Sequence, residues 1–356
     1  MTAGTVRGTG TPAWLRGTLD VAVPLVVAFV LGGVVIRVTG DDPLAVYALL
    51  AREALGGTER IAATLTAATP LLFTGLATAV AFRAGLFTMG AEGSFVAGGL
   101  AAAVIGAHVG GWPAPLALAA SLLGATAVGW LVGLVPAILR ARWKVEEVVT
   151  TLMINFVVTG ITAWLVQSFL LERGEANSAT AFVAASAELP PLMPPSQVNA
   201  GLIIGLGLIV AYGLWISRTS LGYEFRMVGT NPRFAASAGI RVPRVAFLAI
   251  VAAGAIAGAG GGVHTLGVVH RFVGGFSPGY GFTGLAIALL ARFNPVGIVV
   301  GALLFGALSS AGSTAQLFAN IPLQIVDVLQ GTVMALAVAR FVLPRLRVRL
   351  RRGADR

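Results

Sequence analysis

The stretch GLFTMGAEGSF, residues 85–95, sets a carboxylate, Glu92, between Ala91 and Gly93 in an apolar, glycine-rich run. An unpaired charge in such surroundings is expensive, and the cost falls only where the group is paired, capped or wet. Two kinds of chemistry fit. Glu92 caps the N-terminus of a neighbouring helix, where a carboxylate meets the positive end of the helix dipole, or it touches a polar solute in a path. Asn155, in TTLMINF, offers a similar choice between an interhelical hydrogen bond and a polar hook for substrate. Thr88, Asn294 and Gln324 stand near the ends of apolar runs. Asp327 lies near the outer end of the last run, where interfacial solvation accounts for it. Phe282, with Phe73, Phe82, Phe87 and Phe293, supplies rings that stack on a planar ligand or pack in the core and against lipid.

Other chemistries are excluded. The chain has no Cys, which removes disulfides, thiolate metal sites and Cys nucleophiles together. His108, His264 and His270 show no metal-ligand spacing, so no metal site is expected. The sole lysine, Lys144, follows Trp143, so there is no Gly-Lys-Ser/Thr phosphate loop. No Ser/His/Asp spacing or paired carboxylates occur within the apolar runs, and no catalytic residue is expected.

The elements that hold these residues are dictated by solvent. With 57% apolar and 11% charged residues and a mean hydropathy of +0.89, the chain belongs in a bilayer. The pattern predicts an all-α integral membrane protein with about ten transmembrane or half-membrane helices. They fall at 21–37, 61–82, 86–107, 114–139, 147–170, 199–217, 245–266, 280–291, 295–312 and 322–343, the eighth being short. The net charge of +10 reads as a topology signal rather than a nucleic-acid surface. Most cations fall on one set of loops and in the basic tail 344–356, while acids favour the other set. Both termini are therefore expected to be cytoplasmic, with segment 1–20 preceding the transmembrane domain 21–343 and the first apolar run serving as a signal anchor.

Two connections are too long for simple turns. The outside loop 171–198, ending in LPPLMPPSQ, is expected to cap the outer mouth or to act as a spacer. The inside loop 218–244 carries a short-helix signature, with Asn231 as N-cap, Pro232 at the first helical position, FAASA and a stop at Gly239. Its small FAASA run is expected to present a compact apolar face to a partner, oriented by Glu224, Arg226 and Arg233. The glycines of GAIAGAGGG, 254–262, and at 98–99 read as surfaces for close helix approach. FTGLATAVAFRAG at 73–85 and FTGLAIALLARFN at 282–294 indicate an internal repeat running the same way across the membrane, each with an Arg (Arg83, Arg292) at the same offset.

Four blocks, GLFTMGAEGSFVAGGLAA, VEEVVTTLMINF, GYEFRMVGTNPRFAASAGI and GYGFTGLAIALLARFNPVGIVVGALLFGAL, resemble in order and spacing the permease subunits of bacterial ABC importers for nucleosides and simple sugars. The likeness covers roughly residues 20–340, and the Gly-Ala-Glu-Gly block is similar to the nucleoside branch. One departure is Thr88–Met89, where that branch usually carries Asn-Ile. The resemblance implies a multi-pass protein of the bacterial inner membrane that pairs with a second permease chain and two cytoplasmic ATPases. It also implies an outside substrate-binding protein. ATP and Mg²⁺ would be bound by the ATPase, and this chain would itself carry no cofactor. Thr88, Glu92, Asn155, Phe282 and Asn294 are the candidate substrate path; Glu224, Arg226, Gly229, Asn231, Pro232, Ala235, Ala236 and Gly239 are the candidate ATPase-coupling residues. A branched-chain amino acid is the alternative cargo. The rivals are an ion-coupled secondary transporter, with Glu92 and Asp327 as ion sites, and a membrane-embedded enzyme.

Overall fold

The computed structural model describes residues 42–172 and 178–319, with parts of 27–37 and 327–335. The N-terminal segment 1–20, the basic tail 344–356 and most of the expected spans 21–37 and 322–343 lie outside the described residues.

The described chain is helical in the order expected of a membrane bundle. The helices are α1 (Pro43–Leu55), α2 (Thr58–Arg83), α3 (Ala91–His108), α4 (Ala114–Trp143), α5 (Glu147–Leu165), α6 (Gly201–Arg218), α7 (Ser220–Thr230), α8 (Pro232–Ser237), α9 (Val242–His264), α10 (Tyr280–Leu290) and α11 (Pro295–Ala319). Wider π turns, Val166–Leu170 and Thr265–Val269, extend α5 and α9. Six of these helices, α2, α4, α5, α6, α9 and α11, are long and apolar enough to cross a bilayer, whereas α10 is a half-length helix.

Burial sorts the bundle. The apolar window of α2 is 83% buried, against 17% for α5, so α2 is a central post and α5 a peripheral wall. Helices α3, α4 and α9 meet through glycine. A Cβ on Gly98 or Gly129 would come within 2.6 Å of the Gly258 Cα, so side chains at these points would push the helices apart.

The repeated stretches lie side by side. Leu71 and Tyr280 line one cavity, Gly284 packs on the backbone of Thr74, and the rings of Phe82 and Phe293 sit 5.5 Å apart. α2 and α10 therefore run in the same direction, with equivalent residues near one another.

One expected span is broken. The run 86–107 does not begin as a helix: residues 86–89 are non-helical and α3 starts at Ala91. Gly85 leaves α2 with a φ of 78°, a left-handed conformation that L side chains resist.

Candidate functional site

The broken start of α3 is held by side chains from elsewhere. Gly90 offers α3 no side-chain cap, so its first amides need outside partners. Asn155, buried on α5, supplies one: its Oδ1 accepts from the Gly93 N–H at 2.9 Å while its Nδ2 donates to the Met89 carbonyl at 2.8 Å. One turn away, the Thr151 Oγ1 accepts from the Met89 N–H at 3.1 Å. Both halves of the Asn155 amide are thus used, on the two sides of the break.

Glu92, in the first turn of α3, reaches across to α10. Its Oε2 accepts from the Gly281 N–H at 2.6 Å, and the Ser277 hydroxyl also bonds to the carboxylate. The Ser277 oxygen in turn accepts from the Tyr280 N–H at 3.1 Å. The charge lies between two helix N-termini, its own and that of α10, whose dipoles favour an anion. A Cβ on Gly281 would lie 2.3 Å from the Glu92 backbone nitrogen, so the two helix starts are in backbone contact. On its other side Glu92 borders a cavity of about 190 Å³ with Thr159, Thr162 and Gln167.

Tyr280, next to Gly281, faces a larger space. A cavity of about 630 Å³ lies among α2, the end of α9, α10, α11 and the outside loop, lined by Thr66, Gln197, His264, Tyr280, Ser309, Ser313 and Thr314. Glu59 and Ser196 also border it, which puts part of the expected outside cap at its edge. A neighbouring cavity of about 230 Å³ shares Tyr280, Ser309 and Ser313 and adds Thr283, Asp327 and Gln330. No Lys or Arg is among the described residues lining either space.

Residues 60–338 match the family described as branched-chain amino acid transport system, permease component. The chain belongs to this permease family. It is 32% identical to the glucose ABC transporter permease protein TsgB13 of Haloferax volcanii, over 97% of this chain and 93% of the relative. Two further relatives are the nucleoside ABC transporter permease protein NupB of Lactococcus lactis, 32% identical over 92% of this chain and 93% of the relative, and the guanosine ABC transporter permease protein NupP of Bacillus subtilis, 29% identical over 94% and 97%. The permease is a multi-pass protein of the cell membrane.

The remaining sequence-derived path residues are dispersed in the permease. Thr88 makes a local turn, its Oγ1 accepting from the Gly90 N–H, and borders a void of about 10 Å³, room for a single water. Asn294 caps α11 through the Val296 N–H, and Phe282 is exposed on α10. Sequence reasoning missed Ser309, Ser313 and Tyr280. The available signal was SSAGST at 309–314, hydroxyls one helical turn apart in an otherwise apolar run.

The inside loop is a pair of short helices rather than one. α7 was not anticipated; Thr219 caps it through the Gly222 N–H, and Gly222, Phe225 and Val228 form its buried face. α8 matches its signature: the Asn231 Oδ1 accepts from Arg233 and Phe234 N–H groups, Pro232 opens the helix, and Gly239 leaves with a φ of 84°. Ala235 is the correction. It faces the permease's own core at 0% exposure, because the spacing that exposes Phe234 and Ala236 turns the residue between them inward. Glu224 and Arg226 are half-buried on α7, and Gly229 packs against the backbone of Arg83 and Gly85 at the end of α2.

Proposed function

We propose that the permease forms the membrane path of an ABC importer for a nucleoside or a simple sugar. ATP and Mg²⁺ are bound by separate ATPase subunits that engage the α7–α8 hairpin. A second permease chain, identical or not, and an extracytoplasmic binding protein complete the complex.

The observation that carries the cargo assignment is the hydroxyl-lined cavity of about 630 Å³ beneath the outside loop. Its size suits a small ligand, and its Ser, Thr, Tyr and Gln groups offer both donors and acceptors to sugar hydroxyls. A zwitterionic amino acid fits less well. Its carboxylate finds no Lys or Arg among the described lining residues, and Glu92 and Ser277 already occupy the amides at the start of α10. Relatives named for glucose, nucleoside and guanosine transport support the same reading.

The test is uptake by the assembled complex in proteoliposomes supplied with labelled guanosine, glucose or leucine. Guanosine or glucose is expected to enter with ATP hydrolysis; entry of leucine alone would replace the assignment. Uptake that continues without ATP and collapses with an uncoupler would favour the ion-coupled transporter instead.

A further inference from the structure

At the opposite end of α2 from the hydroxyl cavity lies a space of different chemistry. A cavity of about 350 Å³, within the range of small-molecule sites, opens between the ends of α2 and α10 and the side of α7. Arg83 and Arg226 both line it, and no carboxylate is among its described lining residues. Neither arginine forms an ion pair among the described residues, and the buried Nε of Arg83 has no hydrogen-bond partner. A buried guanidinium donor left in that state costs free energy that an anion would recover.

The rest of the wall is aromatic. Phe82 and Phe87 stack with ring centres 4.9 Å apart, and Phe293 meets Phe82 edge-on at 5.5 Å. Two guanidiniums beside three rings match a ligand with an anionic head and an apolar or planar body, since Arg binds phosphate oxygens in a planar fork and rings accept a flat or hydrocarbon surface.

We propose that this cavity is a binding site for an organic phosphate, the phosphate held by Arg83 and Arg226 and the remainder laid on Phe82, Phe87 and Phe293. It lies on the face that the charge pattern predicts to be cytoplasmic, away from the hydroxyl cavity, and it does not depend on the cargo. A free phosphate monoester and a phospholipid head share the required chemistry. Because Gly229 of α7 packs against Gly85 in the same wall, an occupant bridges the α7–α8 hairpin and the break before α3.

The experiment uses the full chain in phosphatidylcholine nanodiscs, titrated with guanosine 5′-monophosphate, inorganic phosphate and guanosine. The monophosphate is expected to bind at least about tenfold more tightly than guanosine, and Arg83→Gln or Arg226→Gln to cost about tenfold, the worth of one charge-assisted hydrogen bond. Both variants must remain monodisperse; if one does not, the other carries the test. A lipid occupant is read by native mass spectrometry as phosphatidylglycerol retained in preference to phosphatidylcholine by the unaltered chain and lost from the Gln variants. The proposal is overturned if guanosine and its monophosphate bind alike, or the variants bind as the parent does, and phosphatidylglycerol is retained no better than phosphatidylcholine.

Discussion

The Glu92 carboxylate accepts a 2.6 Å hydrogen bond from the backbone N–H of Gly281, a residue 189 positions further along the chain. The bond joins the start of α3 to the start of α10, two helices whose first amides have no intrahelical partners. One anion thereby serves two helix ends. Tyr280, adjacent to the donor, lines the hydroxyl cavity, so the bond also positions a wall of that space.

Replacement of Glu92 separates charge from hydrogen bonding. Glu92→Gln keeps an acceptor for Gly281 and loses only the dipole interaction, about 0.3–1 kcal/mol and up to about 2 where buried. Glu92→Leu strands the Gly281 N–H as well, at about 1–3 kcal/mol. Thermal unfolding of the detergent-purified permease is expected to rank parent, Gln, Leu. A Leu variant as stable as the parent would remove the capping role.

At Asn155 the two ends of one amide can be told apart. Asn155→Asp retains an acceptor for Gly93 but loses the donor to Met89, whereas Asn155→Leu loses both. Hydrogen exchange at the Gly93 amide is expected to stay slow in the Asp variant and to rise by about tenfold or more in the Leu variant, the equivalent of an amide bond worth about 1.4 kcal/mol. Equal protection in both variants would mean that the start of α3 holds itself.

The spans, the Asn231–Pro232 helix start and the cost of Glu92 were legible in the sequence because each is local: apolar length, cap chemistry and a charge among apolar neighbours. The FTGLA repeat also announced its arrangement, since the two matching stretches lie side by side, one as the second half of α2 and the other as the half-length α10. The break at 86–89 was not legible. Leu86, Phe87 and Met89 are as apolar as any membrane helix and Thr88 is a single polar residue among them, so no polar linker marked it, and the groups that hold it open, Thr151 and Asn155, lie 62 and 66 positions away. Ala235 failed for a related reason. In a run as short as FAASA the residues after Phe234 are all small and alike, and only the packing against α9 and the core decides which one turns inward.

In the hydroxyl cavity, Ser309 and Ser313 are expected to act on affinity rather than on turnover. Each hydrogen bond to an uncharged ligand is worth about 1 kcal/mol, so Ser309→Ala or Ser313→Ala should raise KM for uptake roughly fivefold with the maximal rate little changed. Ser313→Leu fills the space and is expected to lower transport while cargo-independent ATP hydrolysis by the assembled complex continues. If both Ala variants and the Leu variant transport with unchanged KM, the cargo passes elsewhere.

The α7–α8 hairpin allows a test in which neighbouring residues give opposite outcomes. Ala235 is packed in the permease's own core, so Ala235→Glu buries a charge without a partner and is expected to abolish folded yield before any partner is met. Ala236 is exposed on the other side of the same short helix, beside the exposed ring of Phe234. A surface change there should shift stability by no more than about 0.5 kcal/mol, so Ala236→Glu should purify with the parent's thermal midpoint. Set into an apolar groove of an ATPase, the same carboxylate would be desolvated at the interface, and the ATPase should fail to copurify or should hydrolyse ATP without transport. Phe234→Ala, which removes contact area without adding charge, should weaken assembly in the same direction. Normal assembly and uptake in Ala236→Glu and Phe234→Ala would show that the ATPase does not rest on α8, leaving the exposed side of α7, with Tyr223, as the next surface to alter.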